Sequence, residues 1–512
     1  MTDVLFGQSY FPRFDPKLYA QHQPYPPLGT LYAASYLRSL GIDVGLFDAM
    51  LANSVDDWRG ALDRASPRIA VIYEDNFNYL SKMCLLRMRQ AAFEMIRLAA
   101  VRGIPVVVAG SDASDRSAAY LEHGATYVLI GEGELTLGEL ARYLLGKSDQ
   151  PLELIQGVAY QGPEGIVRNA SRPDLKDLDS LPFPAWDLVD VDCYRKIWVK
   201  HHGYYSVNLV SSRGCPYHCN WCAKPIWGQR YHARDPRTVA DEVAWLRSTI
   251  APDHLWFADD ILGLKPGWIQ EFAEEIDHRG IRTPFKSLNR ADLVIKGNTA
   301  VALARAGAQT VWLGAESGSQ AVLDAMEKGT RVEQIADATR RLHAAGIKVG
   351  FFLQFGYPGE TLADIEQTLH LVRWCKPDDI GVSVSYPLPG TKFHAAVREQ
   401  LGQQQNWIDS DDLAMLYHGP FGTAFYRKLH QVVHHDFRWR REWRELRRGQ
   451  SGGNAFARKL IRGSLSLAYH RLALPFSRWQ LMRLAAGAKV AIKPITPELS
   501  PDAAARPSVG AR

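Results

Sequence analysis

Three cysteines, Cys215, Cys219 and Cys222, fall close together in the stretch "SSRGCPYHCNWC". Thiolates are metal ligands, and a closed structural site takes four ligands. This loop offers three. Two chemistries fit. Three thiolates can hold three irons of a four-iron, four-sulfur cluster and leave the fourth iron open to a small molecule. Alternatively, His218 completes a three-Cys, one-His zinc set. Because His218 and Cys219 are adjacent, their convergence on one small ion is awkward, and no second CxxC pair follows. The spacing favours the cluster.

A loop of this kind needs a rigid element beneath it. The apolar run Val207–Val210 lies just before it and reads as a buried strand. Further strand candidates are His254–Ala258, Pro284–Leu288, Thr310–Leu313, Ile347–Gln354 and Ile380–Ser385. Helix candidates between them are Thr238–Ser248, Trp268–His278, Thr299–Ala306, Val332–Ala345 and Leu362–Trp374. Six such units are too few for a closed eight-unit barrel. They predict a partial (β/α)6 barrel with its site at the carboxyl ends of the strands.

Candidate ligand-contacting residues recur at those ends: Asp259 and Asp260 in "FADDIL", Arg290 in "NRADL", Glu316 in "WLGAESGS", and the loop-forming Gly356 and Pro358 in "FFLQFGYPGET". Singly, each has an ordinary reading as a helix cap, a loop former or a surface ion pair. Their recurrence at successive strand ends points to a bound ligand.

The first 150 residues also alternate. Val4–Phe6, Val44–Phe47, Ile69–Tyr73, Val106–Ala109 and Tyr127–Ile130 read as strands. Leu28–Leu40, Leu80–Arg102 and Leu135–Leu145 read as helices, and Cys84 as a core residue of the second. The pattern predicts an α/β fold with a doubly wound, Rossmann-like parallel sheet. Gly110, Ser111 and Asp112 follow one strand; Gly131, Glu132 and Gly133 follow the next. Ligands bind such sheets at these ends, and glycines let a large ligand approach the backbone. Each loop alone also fits a plain tight turn. Residues 151–204, rich in Pro and Asp around "DLKDLDSLPFPAWDLVD", read as an extended surface connector.

Together these motifs resemble the cobalamin-dependent radical S-adenosylmethionine (SAM) enzymes. The resemblance of the barrel covers roughly residues 205–395, through "CPYHCNWC", the four strand-end motifs and "YPLPGTKF". It implies a [4Fe-4S] cluster on Cys215, Cys219 and Cys222, with SAM chelating the open iron. Trp221 would lie beside the nucleotide and Glu316 would be an acidic contact to the cofactor. Asp259, Asp260, Arg290, Gly356 and Pro358 would line the same site. Reductive cleavage of SAM would then yield a 5′-deoxyadenosyl radical, with electrons from an external donor.

In residues 1–150, "YPPLGTLYAASYLRSLGIDVGLFDA", "AGSDAS" and "IGEGE" resemble the cobalamin-binding domain of the same family. No Asp-x-His-x-x-Gly is present, and His22 and His123 stand in other contexts. The resemblance implies cobalamin without the usual histidine below the cobalt. Methylation of an unactivated carbon in a small-molecule or lipid-like substrate is the leading expectation. Oxidative cyclisation of the magnesium-protoporphyrin ester type is the alternative. A tRNA methylthiotransferase would need further cysteines in the N-terminal domain, and a non-catalytic cobalamin module would not need the cysteine loop.

The chain of 512 residues, 46% hydrophobic and 22% charged, has the composition of a globular protein of several domains. Six cysteines do not suggest a secreted disulfide framework. No signal peptide and no apolar run long enough to span a bilayer is visible, so a cytoplasmic location is expected. The net charge of +5 hides an asymmetry: residues 427–490 hold 15 Lys/Arg against 3 Asp/Glu. Residues 401–490 read as a basic helical region interleaved with Trp, Phe and Leu, and 491–512 as a disordered tail. The basic stretch either closes the barrel mouth or touches anionic lipid on the inner face of the membrane. No nucleic-acid-binding module accompanies it.

Overall fold

The computed structural model describes residues 2–77, 85–222, 226–227, 229–448 and 454–487. Cys84, the start of the helix expected from Leu80 and the 491–512 tail lie outside the described residues.

The N-terminal sheet begins with five parallel strands: β1 (Val4–Gly7), β2 (Val44–Leu46), β3 (Ile69–Tyr73), β4 (Val106–Ala109) and β5 (Tyr127–Leu129). Their spatial order is β2-β1-β3-β4-β5. The runs are continuously apolar because both faces are covered. Leu28–Ser39 and Glu134–Leu144 pack on one face, and Asp56–Ala65 and Leu85–Ala100 on the other. The winding reverses between β1 and β3, the switch point at which sheets of this kind open a crevice.

The connector departs from expectation. Val158–Gly162 (β6) and Gly165–Arg168 (β7) form a hairpin that adds antiparallel strands to β5. Leu178, Leu181 and Trp186 are buried. Val191–His202 is a helix capped by the Asp190 carboxylate at one end and closed by Gly203, at φ +79°, at the other. Acids and prolines suggested surface chain, but the apolar residues between them decide the packing. The connector is a built part of the domain joint.

The second sheet contains β8 (Ser206–Leu209), β11 (His254–Phe257), β12 (Phe285–Asn289), β13 (Ala308–Glu316), β14 (Lys348–Phe355) and β15 (Asp379–Val384), all parallel and in that spatial order. It is the partial six-stranded barrel expected. A short antiparallel pair, β9 (Ser212–Gly214) and β10 (Tyr231–Ala233), brackets the cysteine loop, with Gly214 opposite Tyr231.

Beyond the barrel, Thr423–Arg448 and Asn454–Ala486 form two long helices packed against one another. Among the described residues, no helix is long and apolar enough to cross a membrane.

Candidate active site

The cysteine loop springs from the end of β9. Cys215 and Cys219 are buried and Cys222 half-buried. Asn220 anchors the loop on four sides. Its N–H donates to the Met326 carbonyl at 3.1 Å, and its carbonyl accepts from Phe393 at 3.0 Å. Its side-chain amide donates to Ala325 at 2.8 Å and accepts from the Tyr357 hydroxyl at 2.9 Å. Fixing the loop this way preorganises its thiols. No three His, Cys, Asp or Glu side chains among the described residues are gathered within the shell of a single ion. His218 is exposed. A single zinc needs ligands at about 2.0–2.3 Å, so the arrangement suits a larger cluster better than one ion.

Positive charge stands beside the thiols. Arg290 Nη1 lies 3.9 Å from Cys219 Sγ, and its guanidinium stacks 3.6 Å from the Tyr217 ring centroid. Asp292, the Lys328 carbonyl and the Thr330 hydroxyl take its other N–H groups, at 3.0, 2.9 and 3.0 Å. Lys328 Nζ donates to Glu316 Oε1 at 2.8 Å, with both side chains buried. Burial lowers the Lys328 pKa, but the charges of Glu316 and Cys219 outweigh it and raise the ammonium above its usual range. Glu316 sits at a bulge of β13 with φ +57°, a conformation that a non-glycine residue adopts at a cost.

Asp259 at the end of β11 accepts from the Ser211 N–H at 3.1 Å and from the hydroxyls of Ser211 and Ser212. Burial pushes its pKa up to about 6 against those hydrogen bonds. It supports the strand end. Asp260 differs: its Oδ2 is buried without a partner, as is Trp221 Nε1 in the cysteine loop. Buried polar atoms left unpaired are costly, and at each of them a ligand would supply the missing partner. Gly356 has φ +84°, and its N–H donates to Glu360 at 2.6 Å. A Cβ there would stand 3.1 Å from Tyr426 and 3.2 Å from Met415. Pro358 is buried in the same turn.

In the N-terminal domain the expected loops divide. The space a side chain would need at Gly110 and Gly133 is filled by Glu74 and Tyr73, at 2.8 and 2.7 Å. Ser111 is buried; Asp112 is held by Arg89 at 2.6 Å and by the Tyr120 hydroxyl at 2.8 Å. Glu132 is engaged by Arg213 at 3.0 Å. Gly131, at φ +83°, faces open space, unlike Gly110 and Gly133.

Sequence reading missed Asn220, Lys328 and Arg213. Arg213 reaches from β9 to Glu132 and Glu134 of the other domain, the latter at 2.7 Å, entirely within buried surroundings. Asn220 and Arg213 lie within the quoted cysteine stretch, but their types and spacing alone carried no signal for these partners, and Lys328 belongs to no motif.

Residues 209–372 match the Radical SAM superfamily. These residues form a radical SAM domain, which implies a [4Fe-4S] cluster and SAM, and it follows a Rossmann-like N-terminal domain. Among its relatives is an uncharacterized methyltransferase of Pyrococcus horikoshii, PH0819, 26% identical over 75% of this chain and 81% of that one. Another is the anaerobic magnesium-protoporphyrin IX monomethyl ester cyclase of Synechocystis sp., 27% identical over 60% of this chain. The chain spans only 61% of that cyclase's length. The solved structure of OxsB, a cobalamin-dependent SAM radical enzyme with aqua-cobalamin and SAM bound, superposes with a TM-score of 0.70 at 16% identity, over 94% of this chain and 72% of OxsB. The fold is shared across both domains.

Proposed function

We propose that this protein is a cobalamin-dependent radical SAM methyltransferase acting on an unactivated carbon of a small-molecule or lipid-like substrate. The observation that carries the reading is the Arg213–Glu132–Glu134 bridge, which fastens the ligand-binding edge of a Rossmann-like sheet to the strand bearing the cysteine loop. When bound, the cluster and SAM supply a carbon-centred radical, and cobalamin carries the methyl group. Cys215, Cys219 and Cys222 hold the cluster; Arg290 and Lys328 balance its charge. Trp221 and Asp260 offer their unpartnered polar atoms to SAM, beside Glu316 and the Gly356–Pro358 turn. Gly131, with the Gly110–Asp112 and Glu132–Gly133 backbone, receives cobalamin.

The histidines of the domain support a cobalt without a histidine from it. The His123 ring stacks on Phe93, 3.7 Å between centroids, and the His22 ring on His201 at the same distance. Electrons come from an external donor. The second reading, oxidative cyclisation, is favoured by the resemblance to the Synechocystis cyclase.

The second C-terminal helix supports a peripheral membrane contact on the cytoplasmic side. Leu465, Tyr469, Leu472, Phe476, Trp479 and Met482 recur at spacings of three and four residues and are all exposed. Exposed arginines such as Arg471 and Arg483 flank this stripe. An apolar stripe with basic flanks fits an anionic bilayer surface.

The deciding experiment incubates the anaerobically reconstituted protein with methyl-labelled SAM and candidate acceptors, followed by mass spectrometry. A product heavier by one methyl group supports methylation, and loss of hydrogens supports cyclisation. Failure to form any 5′-deoxyadenosine would sink both.

A further inference from the structure

A cavity of about 430 Å³ opens at the β1/β3 switch point and runs to the inner wall of the barrel. Gln8 and Tyr10 follow β1, Asp75 and Phe77 follow β3, and Asn208, Trp256 and Lys286 project from β8, β11 and β12. The volume lies in the range of small-molecule sites, about 300–1,000 Å³. Cys215, Cys219, Cys222, Arg290, Glu316, Gly110 and Gly131 are not among its lining residues.

Its charge is incomplete. Lys286 Nζ lies 4.6 Å from the Trp256 ring centroid and 5.0 Å from that of Tyr25. Among the described residues no carboxylate stands within ion-pair distance of it. The one acid lining the cavity, Asp75, accepts the amides of Gly29 and Phe77 through Oδ1 at 3.1 and 3.2 Å. One further side chain is almost fully buried with an unpartnered polar atom, Asn208 through Oδ1. Its other end is fixed, Nδ2 donating to the Pro26 carbonyl at 3.0 Å, while Gln8 is held by the Ala49 amide at 3.1 Å and by the Asp48 carboxylate. A buried cation without a counter-charge is destabilising, and an arriving anion offsets that cost. Burial lowers the Lys286 pKa to about 8, the signature of an amine still missing its partner. At the rim, Lys196 and Lys200 stand one helical turn apart, exposed, where they raise the local concentration of anions.

We propose that this cavity binds a largely apolar small molecule carrying one anionic group, the anion paired with Lys286 and the apolar body packed on Trp256 and Tyr25. Asn208 Oδ1 accepts from a polar atom of the same molecule. That this ligand is the methyl acceptor rests on the proposed function; its binding does not.

The test uses the full chain, reconstituted with its cluster and loaded with cobalamin, and a matched pair of probes, 2-naphthylacetate and 2-naphthylacetamide. Equilibrium dialysis reads their binding. One naphthylacetate is expected per chain, at least tenfold tighter than the amide. Lys286→Gln should bring the acid down to the level of the amide and change the amide less than twofold, whereas Lys286→Arg should keep the preference. Iron content and melting temperature of both variants should match the unsubstituted chain. No binding of either probe, equal affinities for both, or a preference that survives Lys286→Gln would overturn the proposal. Naphthylacetate binding seen before cobalamin loading and lost after it would also overturn it, because the cavity would then belong to the cofactor. Failure of the proposed function would show separately in the same preparation, as absent cobalamin absorbance or absent 5′-deoxyadenosine.

Discussion

Arg213 Nη2 donates to Glu134 Oε1 at 2.7 Å across the boundary between the two sheets, with both side chains buried. Glu132 shares the same guanidinium at 3.0 Å. Removing the cation strands two carboxylates in a place that water does not reach. Arg213→Met should cost roughly 3–5 kcal/mol of stability, the range for breaking a buried pair, measured by urea denaturation. Adding Glu132→Gln and Glu134→Gln to it should recover part of the loss. A single substitution costing under about 0.5 kcal/mol, the range of ordinary surface changes, would contradict the burial of the bridge.

The cysteines are predicted to be inseparable in function. Replacing Cys215, Cys219 and Cys222 together by Ala should abolish iron binding and 5′-deoxyadenosine formation, while the far-ultraviolet circular dichroism stays unchanged. Retained SAM cleavage would remove the loop from the chemistry.

Arg290 places a fixed positive charge next to Cys219. A nearby cation stabilises the more negative, reduced state of a cluster. Arg290→Met should therefore lower its midpoint potential, by on the order of 100 mV if the charge acts through an intermediate dielectric. A redox titration followed by electron paramagnetic resonance reads the shift, and an unchanged potential would leave Arg290 a purely structural anchor.

Glu360 is buried with Oε1 unpartnered, and burial pushes its pKa from 4.5 to about 8. The folded state thus holds a proton that the unfolded chain releases. The contribution is fully present below about pH 4.5 and is lost as pH rises through about 8. Glu360→Gln should flatten the fall in stability across that window and raise the melting temperature at pH 8.5. A melting profile with the same slope in both proteins would refute the shift.

The exposed stripe predicts lipid binding. Serine at Leu465, Leu472, Phe476 and Trp479 should remove the chain from floating vesicles that contain phosphatidylglycerol and leave SAM cleavage intact. Equal recovery of variant and unsubstituted chain would reject the membrane contact.

What could be read in advance was whatever is local in sequence. The three thiols share one loop, and the strands of both sheets announce themselves as short apolar runs at regular intervals. Pairings over long separations were invisible: Arg213 and Glu132 lie 81 residues apart, and only the closure of β9 against the first domain brings them together. Lys286 reads as an ordinary polar residue on a strand, because nothing in a single sequence tells which way the barrel interior faces. The connector misled for a related reason. Its acids and prolines are conspicuous, whereas the burial of Leu178, Leu181 and Trp186 depends on partners elsewhere in the chain.

The hairpin of β6 and β7 continues the first sheet, the Val191–His202 helix leads directly into β8, and Arg213 closes the joint from the far side. Two halves riveted at both ends do not swing apart like a hinged shell. Parting them would separate a buried guanidinium from two carboxylates, a cost that favours the closed joint.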